Sequence, residues 1–205
     1  MRRFLLRTTI LTSCAFLSAL GGCLGGSPPS RFYLLSSLPV SESPATTTGG
    51  VAIGIGPVSL PDYLDRSQIV TRKGESQLQL AEFDRWAEPL GKTFSRVLVL
   101  NVSTLLSTDR VALHPWNRST PIDYQVIVDV ARFEAGTDEK ISLLARWSIV
   151  DAGKRETLLM RKSSFTEPIA ADGYEATVES MSRAVAALSR EIAEAIRDVS
   201  ATAGD

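Results

Sequence analysis

The last thirty residues constrain this chain most. Tyr174, Val178, Met181, Val185, Leu188, Ile192, Ile196 and Val199 recur at steps of three and four. That spacing puts all eight on one side of a long helix. An apolar stripe of that length must be covered, either by a sheet or by a partner helix in a coiled coil. Packing on a sheet is favoured, because the stripe is short for a coiled coil. Asp172-Gly173-Tyr174-Glu175 has the form of a capping box at its start.

The strands to receive that helix are also legible. In residues 124–133, Tyr124, Val126, Val128 and Val130 fall on one side of a strand, and Ile141, Leu143, Ala145, Trp147 and Ile149 alternate in the same way. The turn Asp151-Ala152-Gly153-Lys154 leads into a third run over 155–165. Period-two alternation predicts an antiparallel meander with one buried face. Upstream, Val51, Ile53 and Ile55 share one face of a strand, while Ala52, Gly54 and Gly56 keep the other face thin and open to close approach. Residues 68–72 and 77–81 form a predicted hairpin around Lys73-Gly74-Glu75-Ser76. Leu90, Phe94, Val97, Leu98, Asn101 and Leu105 mark a first helix opened by Pro89. A first strand is expected in 31–35, a short one in 111–114, and a loop in 41–50. The expected fold class is α+β: a mostly antiparallel sheet covered on one face by two helices.

The N-terminus reads as a lipoprotein signal peptide. Arg2, Arg3 and Arg7 precede an uncharged apolar run over 8–20, and Leu20-Gly21-Gly22-Cys23 closes it. The run is short for a bilayer span, which takes about 20 apolar residues. An aliphatic residue, two small residues and a cysteine resemble a lipobox, in which the thiol accepts diacylglycerol. Leu11-Thr12-Ser13-Cys14 has a similar form but leaves too short an apolar run before it. The pair Arg2-Arg3 fits a twin-arginine signal poorly in its surroundings. The expected organisation is a signal peptide over 1–22 that is removed, the lipidated Cys23 and a flexible tether over 23–30, and a single domain over 31–205. Acyl chains on Cys23 would anchor the protein stably. Leu24 stands where an aspartate often retains bacterial lipoproteins in the inner membrane, so an outer-membrane location facing the periplasm is expected.

Charge and chemistry exclude several classes. Loss of Arg2, Arg3 and Arg7 takes the net charge from −1 to about −4. A mildly acidic body argues against nucleic acid and against a polybasic membrane-binding surface. His114 is the one histidine, Cys23 is committed to lipid, and the chain has no nucleophile elbow and no phosphate loop. Neither a catalytic site nor a metal or cofactor site is expected beyond the acyl lipid on Cys23. The pairs Asp62/Asp65 and Asp84/Glu88 read as solvated surface or as local salt bridges to Arg66 or Arg85. Tyr63, Arg66, Arg85 and Trp86 are the candidate partner interface, since Tyr, Trp and Arg dominate binding hot spots. Trp86 has two readings, an interface anchor or a tryptophan closing the core edge.

Several segments carry a resemblance. They are Phe32-Tyr33-x-Leu35; Ile55-Gly56-Pro57-Val58 with Leu60-Pro61-x-Tyr63-Leu64-Asp65-Arg66; Arg85-Trp86-Ala87-Glu88-Pro89-Leu90; Asp109-Arg110-Val111; Pro115-Trp116; and Met181-Ser182-Arg183. Together they resemble the ABC-type transport auxiliary lipoproteins, the paraquat-inducible protein C-like family, over nearly all of the chain beyond Cys23. The resemblance implies a fold like the N-terminal domain of TolB. It also implies a non-enzymatic outer-membrane component of a lipid transport system. Such a component docks a periplasmic protein with mammalian-cell-entry (MCE) domains and supports phospholipid trafficking and membrane integrity. Relatives can form rings, so a homo-oligomeric ring is among its implications. The competing reading is a carrier domain that holds an acyl chain itself, in the room beside the small face of the strand at Val51.

Overall fold

The computed structural model describes residues 28–42 and 50–202; the signal segment, Cys23 and most of the loop expected over 41–50 lie outside the described residues. The strands are β1 (Arg31–Tyr33), β2 (Ile53–Ser59), β3 (Gln68–Arg72), β4 (Leu78–Trp86), β5 (Val111–Leu113), β6 (Tyr124–Ala135), β7 (Lys140–Asp151) and β8 (Glu156–Pro168). The helices are α1 (Leu90–Leu106) and α2 (Tyr174–Thr202), with short 3-10 turns at Val40–Glu42 and Asp62–Leu64.

The eight strands make one sheet, and it is mixed rather than mostly antiparallel. The long meander β6–β7–β8 and the β3–β4 hairpin are antiparallel, as their short connections require. The other edge of β6 is lined by two strands running parallel to it, β2 along its first half and β3 at its end. β5 joins β2, and β1 joins β4, also in parallel. Alternation cannot reveal this: a strand's face pattern is the same whichever way its neighbour runs.

Both helices cover one face. The register places Val126 beside Ile149, Val128 beside Trp147, and Val130 beside Ala145. These side chains form one core cluster with Phe94, Val97 and Leu98 of α1 and with Val178, Met181, Val185, Leu188, Ile192 and Ile196 of α2. The apolar stripe of α2 therefore packs on the sheet. The buried side of α2 is wider than the stripe, taking in Ala184, Ser189, Ala193 and Ala195, because α1 lies against it as well. Asn101 of α1 is buried between the helices, where its amide nitrogen donates to Ser189 Oγ at 3.1 Å. Its carbonyl oxygen accepts the Leu38 N–H at 2.7 Å. Small residues and a satisfied amide let the helices approach without leaving an unpaired polar group. The first turn of α2 is closed by the Thr177 N–H, which donates to the Gly173 carbonyl at 3.2 Å.

One stretch of the sheet is interrupted. β2 pairs with β6 up to Asp129 and β3 pairs with it only at Ala135. Between them the β6 register against β7 also shifts, between Val130 and Arg132. The chain linking β2 to β3 runs beside that gap, and the candidate site is built around it.

Candidate functional site

The linker from β2 to β3 is a tight turn. The Leu64 N–H donates to the Pro61 carbonyl at 2.9 Å and the Asp65 N–H to the Asp62 carbonyl at 3.1 Å. One backbone bond ties the linker to the end of β4, from the Trp86 N–H to the Ser67 carbonyl at 2.7 Å, and the Ala87 N–H donates to the Tyr33 carbonyl of β1 at 2.9 Å. β4 runs on through residues 82–86, so the segment ahead of α1 is strand. Glu88 and Pro89 then lead into α1, and the Lys92 N–H donates back to the Pro89 carbonyl at 2.9 Å.

Between the turn, the start of α1 and the end of β2 lies an open groove of about 710 Å³. Asp62 and Asp65 reach it from the turn, Lys92 and Arg96 from α1, and Pro57 and His114 from the β2–β5 side. Glu88 also lines it and forms an ion pair with Arg96, whose guanidinium lowers the Glu88 pKa. Lys92, Asp62 and Asp65 have no side-chain hydrogen bond among the described residues, so both signs of charge are presented to solvent. His114 stands edge-on to Trp116, with ring centroids 5.3 Å apart.

Two buried carboxylates fasten neighbouring elements, Glu134 the turn to β6 and β3, Asp84 β1 to β4. Glu134, 1% exposed, fills the gap in the sheet. Its Oε2 accepts the Tyr63 hydroxyl at 2.7 Å and the Phe133 N–H at 3.1 Å. Its Oε1 accepts Arg72 Nε at 2.9 Å, with Arg72 Nη2 at 2.8 Å. Asp84, 4% exposed, takes a two-pronged contact from Arg31, Nε to Oδ1 at 2.7 Å and Nη2 to Oδ2 at 2.9 Å. The Tyr33 hydroxyl donates to Asp84 Oδ1 at 2.8 Å. Hydrogen bonding from Arg31 holds the Asp84 carboxyl below the usual carboxylate range.

The four residues expected at an interface are placed very differently. Tyr63 is half-buried and fastens the turn to β6. Burial, and then its bond to Glu134, pushes its phenol up to about 12. Arg66 is exposed, and its side chain has no partner among the described residues. Arg85 is half-buried, with its Nε enclosed and without a hydrogen-bond partner. Trp86 is 4% exposed and belongs to the core cluster, so of its two readings the structure selects the core edge. Asp62 and Asp65 are solvated surface, one of the two readings of that pair, while Asp84 and Glu88 find other partners than Arg66 or Arg85. Asp84 pairs with Arg31, fifty-three residues away, and Glu88 pairs with Arg96. The room expected beside Gly54 is already filled: a Cβ there would lie 2.6 Å from Trp116 Cη2. A carrier holding an acyl chain at that place would first have to expel the indole.

The two segments singled out in the sequence both reach the groove, but other side chains of theirs line it. The turn and the segment opening α1 do converge, yet the groove is faced by Asp62, Asp65, Glu88 and Lys92. Glu134 and Arg72 were missed. The burial of Phe133, Glu134 and Ala135 in succession is visible only in the structure; in the sequence its one trace is the three-residue step from Val130 to Phe133. Among the described residues, no group of three or more His, Cys, Asp or Glu could hold a metal ion. No described helix is long and apolar enough to cross a membrane.

A mixed sheet under two helices, with a turn and a helix start converging on a charged groove, defines a small α+β domain already seen in solved structures. A Xanthomonas campestris protein of known crystal structure superposes with a TM-score of 0.71 at 16% identity, covering 84% of this chain and 99% of that one. A second crystal structure, of an uncharacterised protein, superposes at 0.68 with 22% identity, covering 82% and 99%. By sequence, the chain is 25% identical over 177 residues to the intermembrane transport lipoprotein PqiC of Escherichia coli strain K12, spanning 84% of this chain and 91% of that protein. Residues 33–193 match the ABC-type transport auxiliary lipoprotein component family, and the chain belongs to that family. The matched span includes both groove-forming segments.

Proposed function

We propose that this chain is a non-enzymatic lipoprotein subunit of an intermembrane lipid transport system. In this reading residues 1–22 are a signal peptide, and acylated Cys23 anchors the chain in the outer membrane with the domain facing the periplasm. The domain docks an MCE-domain protein, and so supports phospholipid trafficking and envelope integrity; a ring of several copies is compatible with that role. Family membership and the similarity to PqiC across most of both chains support transport rather than catalysis.

The observation that carries the docking reading is the groove. The two segments most specific to the family, Leu60-Pro61-x-Tyr63-Leu64-Asp65-Arg66 and Arg85-Trp86-Ala87-Glu88-Pro89-Leu90, meet around it. The bonds within them serve to shape its walls. Tyr63 acts from behind those walls and Arg66 stands at the exposed edge of the turn, while Trp86 holds the end of β4 in the core and Arg85 lies on the other face of that strand.

The test is a pull-down from gently solubilised envelopes, using a C-terminal tag and mass spectrometry. An MCE-domain protein is expected among the leading partners. Its recovery should fall at least about tenfold in a double variant, Asp65→Lys with Lys92→Glu, because like charges juxtaposed across an interface cost several kcal/mol. Both positions are exposed, so the circular dichroism spectrum and melting temperature should not change. Normal capture by a folded double variant would remove the groove from the docking surface. Absence of any MCE-domain protein with the intact, acylated wild type would overturn the docking reading.

A further inference from the structure

We infer that the face of the sheet turned away from the helices is a membrane-contact surface that lies against anionic phospholipid. Although the domain is acidic as a whole, its charges are sorted. Register fixes which side chains share the outer face of the meander. Asp129, Arg146 and Lys162 stand side by side across β6, β7 and β8. Arg132 lies beside Leu144 in the next row, and Met160 beside Ser148 in the row on the other side. Arg132, Arg146 and Lys162 are all exposed, and Met160 is 65% exposed among them. Neighbouring and diagonal positions on a sheet are about 5–8 Å apart, so the three cations form one cluster.

Folding does not account for this cluster. Arg146 and Lys162 are direct cross-strand neighbours, and like charges in that position destabilise a sheet. Neither forms an ion pair among the described residues. Arg132 comes no closer than 3.7 Å to Glu134, which Arg72 already holds. Asp129 is engaged by the Ser59 hydroxyl at 2.8 Å. On the helix side the arrangement is the opposite, with Arg161, Arg183 and Arg190 matched to Glu191, Glu167 and Glu42.

An open sheet with two unpaired cations, and a third held only at 3.7 Å from a carboxylate that Arg72 already occupies, around an exposed thioether suits a broad anionic surface with an apolar interior. Family membership makes the chain a lipoprotein, so a membrane is its standing neighbour. The same outer face continues to Phe32, 64% exposed and registered beside Arg85, at the start of the domain. If Cys23 carries the lipid, as the proposed function holds, the eight residues from it to Arg31 can span at most about 28 Å. The inference rests on that anchor only for proximity; the charge pattern stands without it.

The test uses the full-length, processed chain in vesicles of phosphatidylcholine alone or with phosphatidylglycerol added. A bimane label on Met160→Cys is quenched by headgroup-spin-labelled lipid, and the same label on Glu179→Cys of α2 serves as the opposite face. Quenching at position 160 is expected on the anionic vesicles only. It should be lost on going from about 0.01 M to 1 M salt, as the Debye length falls from about 30 to 3 Å. It should also be lost in the triple variant Arg132→Gln, Arg146→Gln, Lys162→Gln, and stay absent at position 179 throughout. Equal quenching on both vesicles, or none, would overturn the inference without reliance on the triple variant. Shielding that appears only with an acidic protein partner present would overturn it in favour of that partner. One label per chain reports a blocked Cys23. A chain that takes two labels, yet still floats only with anionic vesicles, would refute the anchor and uphold the face.

Discussion

Replacing Glu134 by glutamine tests whether the gap in the sheet is held by this carboxylate. The side chain is 1% exposed and both oxygens are used, Oε1 by Arg72 and Oε2 by Tyr63 and the Phe133 N–H. Glutamine keeps the shape but offers a single acceptor oxygen. If that oxygen faces Arg72, the amide NH2 meets the Phe133 N–H, and one buried donor is left unpaired. If it faces Phe133, the NH2 meets the guanidinium. Either way a buried polar group loses its partner, which costs about 1–3 kcal/mol. Losing one partner of a buried ion pair costs about 3–5 kcal/mol, less here because the Arg72 side chain retains 20% exposure. A destabilisation of roughly 3 kcal/mol follows from these two estimates. Urea unfolding of the wild type, Glu134→Gln, Tyr63→Phe and the double variant measures it and the coupling together. The Tyr63–Glu134 coupling should be about 1–2 kcal/mol. A loss below about 1 kcal/mol, or additivity within about 0.3 kcal/mol, would refute the claim that Glu134 pins the turn to the sheet.

Trp86→Ala should lower stability by about 3–5 kcal/mol, seen as a melting temperature lower by roughly 10 °C, because it empties a core site rather than a surface one. An unchanged melting temperature would contradict the burial. Gly54→Ala should cost about 1–3 kcal/mol by driving a Cβ into the Trp116 indole, and most of that cost should vanish in a Trp116→Ala background. Two of the perturbed groups act at opposite ends of the pH scale. Tyr63 titrates at about 12 in the folded chain, above its ordinary value near 10. Its contribution is therefore complete below about pH 10 and fades as pH rises toward 12, a dependence Tyr63→Phe should abolish. Asp84 is depressed, so its contribution is present above about pH 4 and fades as pH falls through its folded value. Asp84→Asn should flatten the acid limb of a stability–pH curve.

Local residue patterns are enough to mark which segments become strands and helices and which face of each is apolar. The alternation in β6 and β7 and the stripe on α2 are local periodicities, set by backbone geometry whatever the neighbours. The sequence also pointed to the two segments that build the groove. Strand direction was decided only in three dimensions: β2 and β3 run parallel to β6 because the chain between them continues along the same edge, and face periodicity carries no trace of that. Ion pairing was decided there too. Asp84 had Arg85 beside it in sequence but pairs with Arg31, because successive strand residues point to opposite faces while registered neighbours share one. Trp86 shows the same limit from the other side. Its charged neighbours suggested a surface, yet as a strand residue it points the other way from Arg85 and into the core. Arg132, Arg146 and Lys162 lie far apart in a chain whose net charge is slightly negative, and only the register of three strands gathers them on one face. Composition sums charge over the whole chain, whereas an interface depends on the charge gathered within a few ångströms.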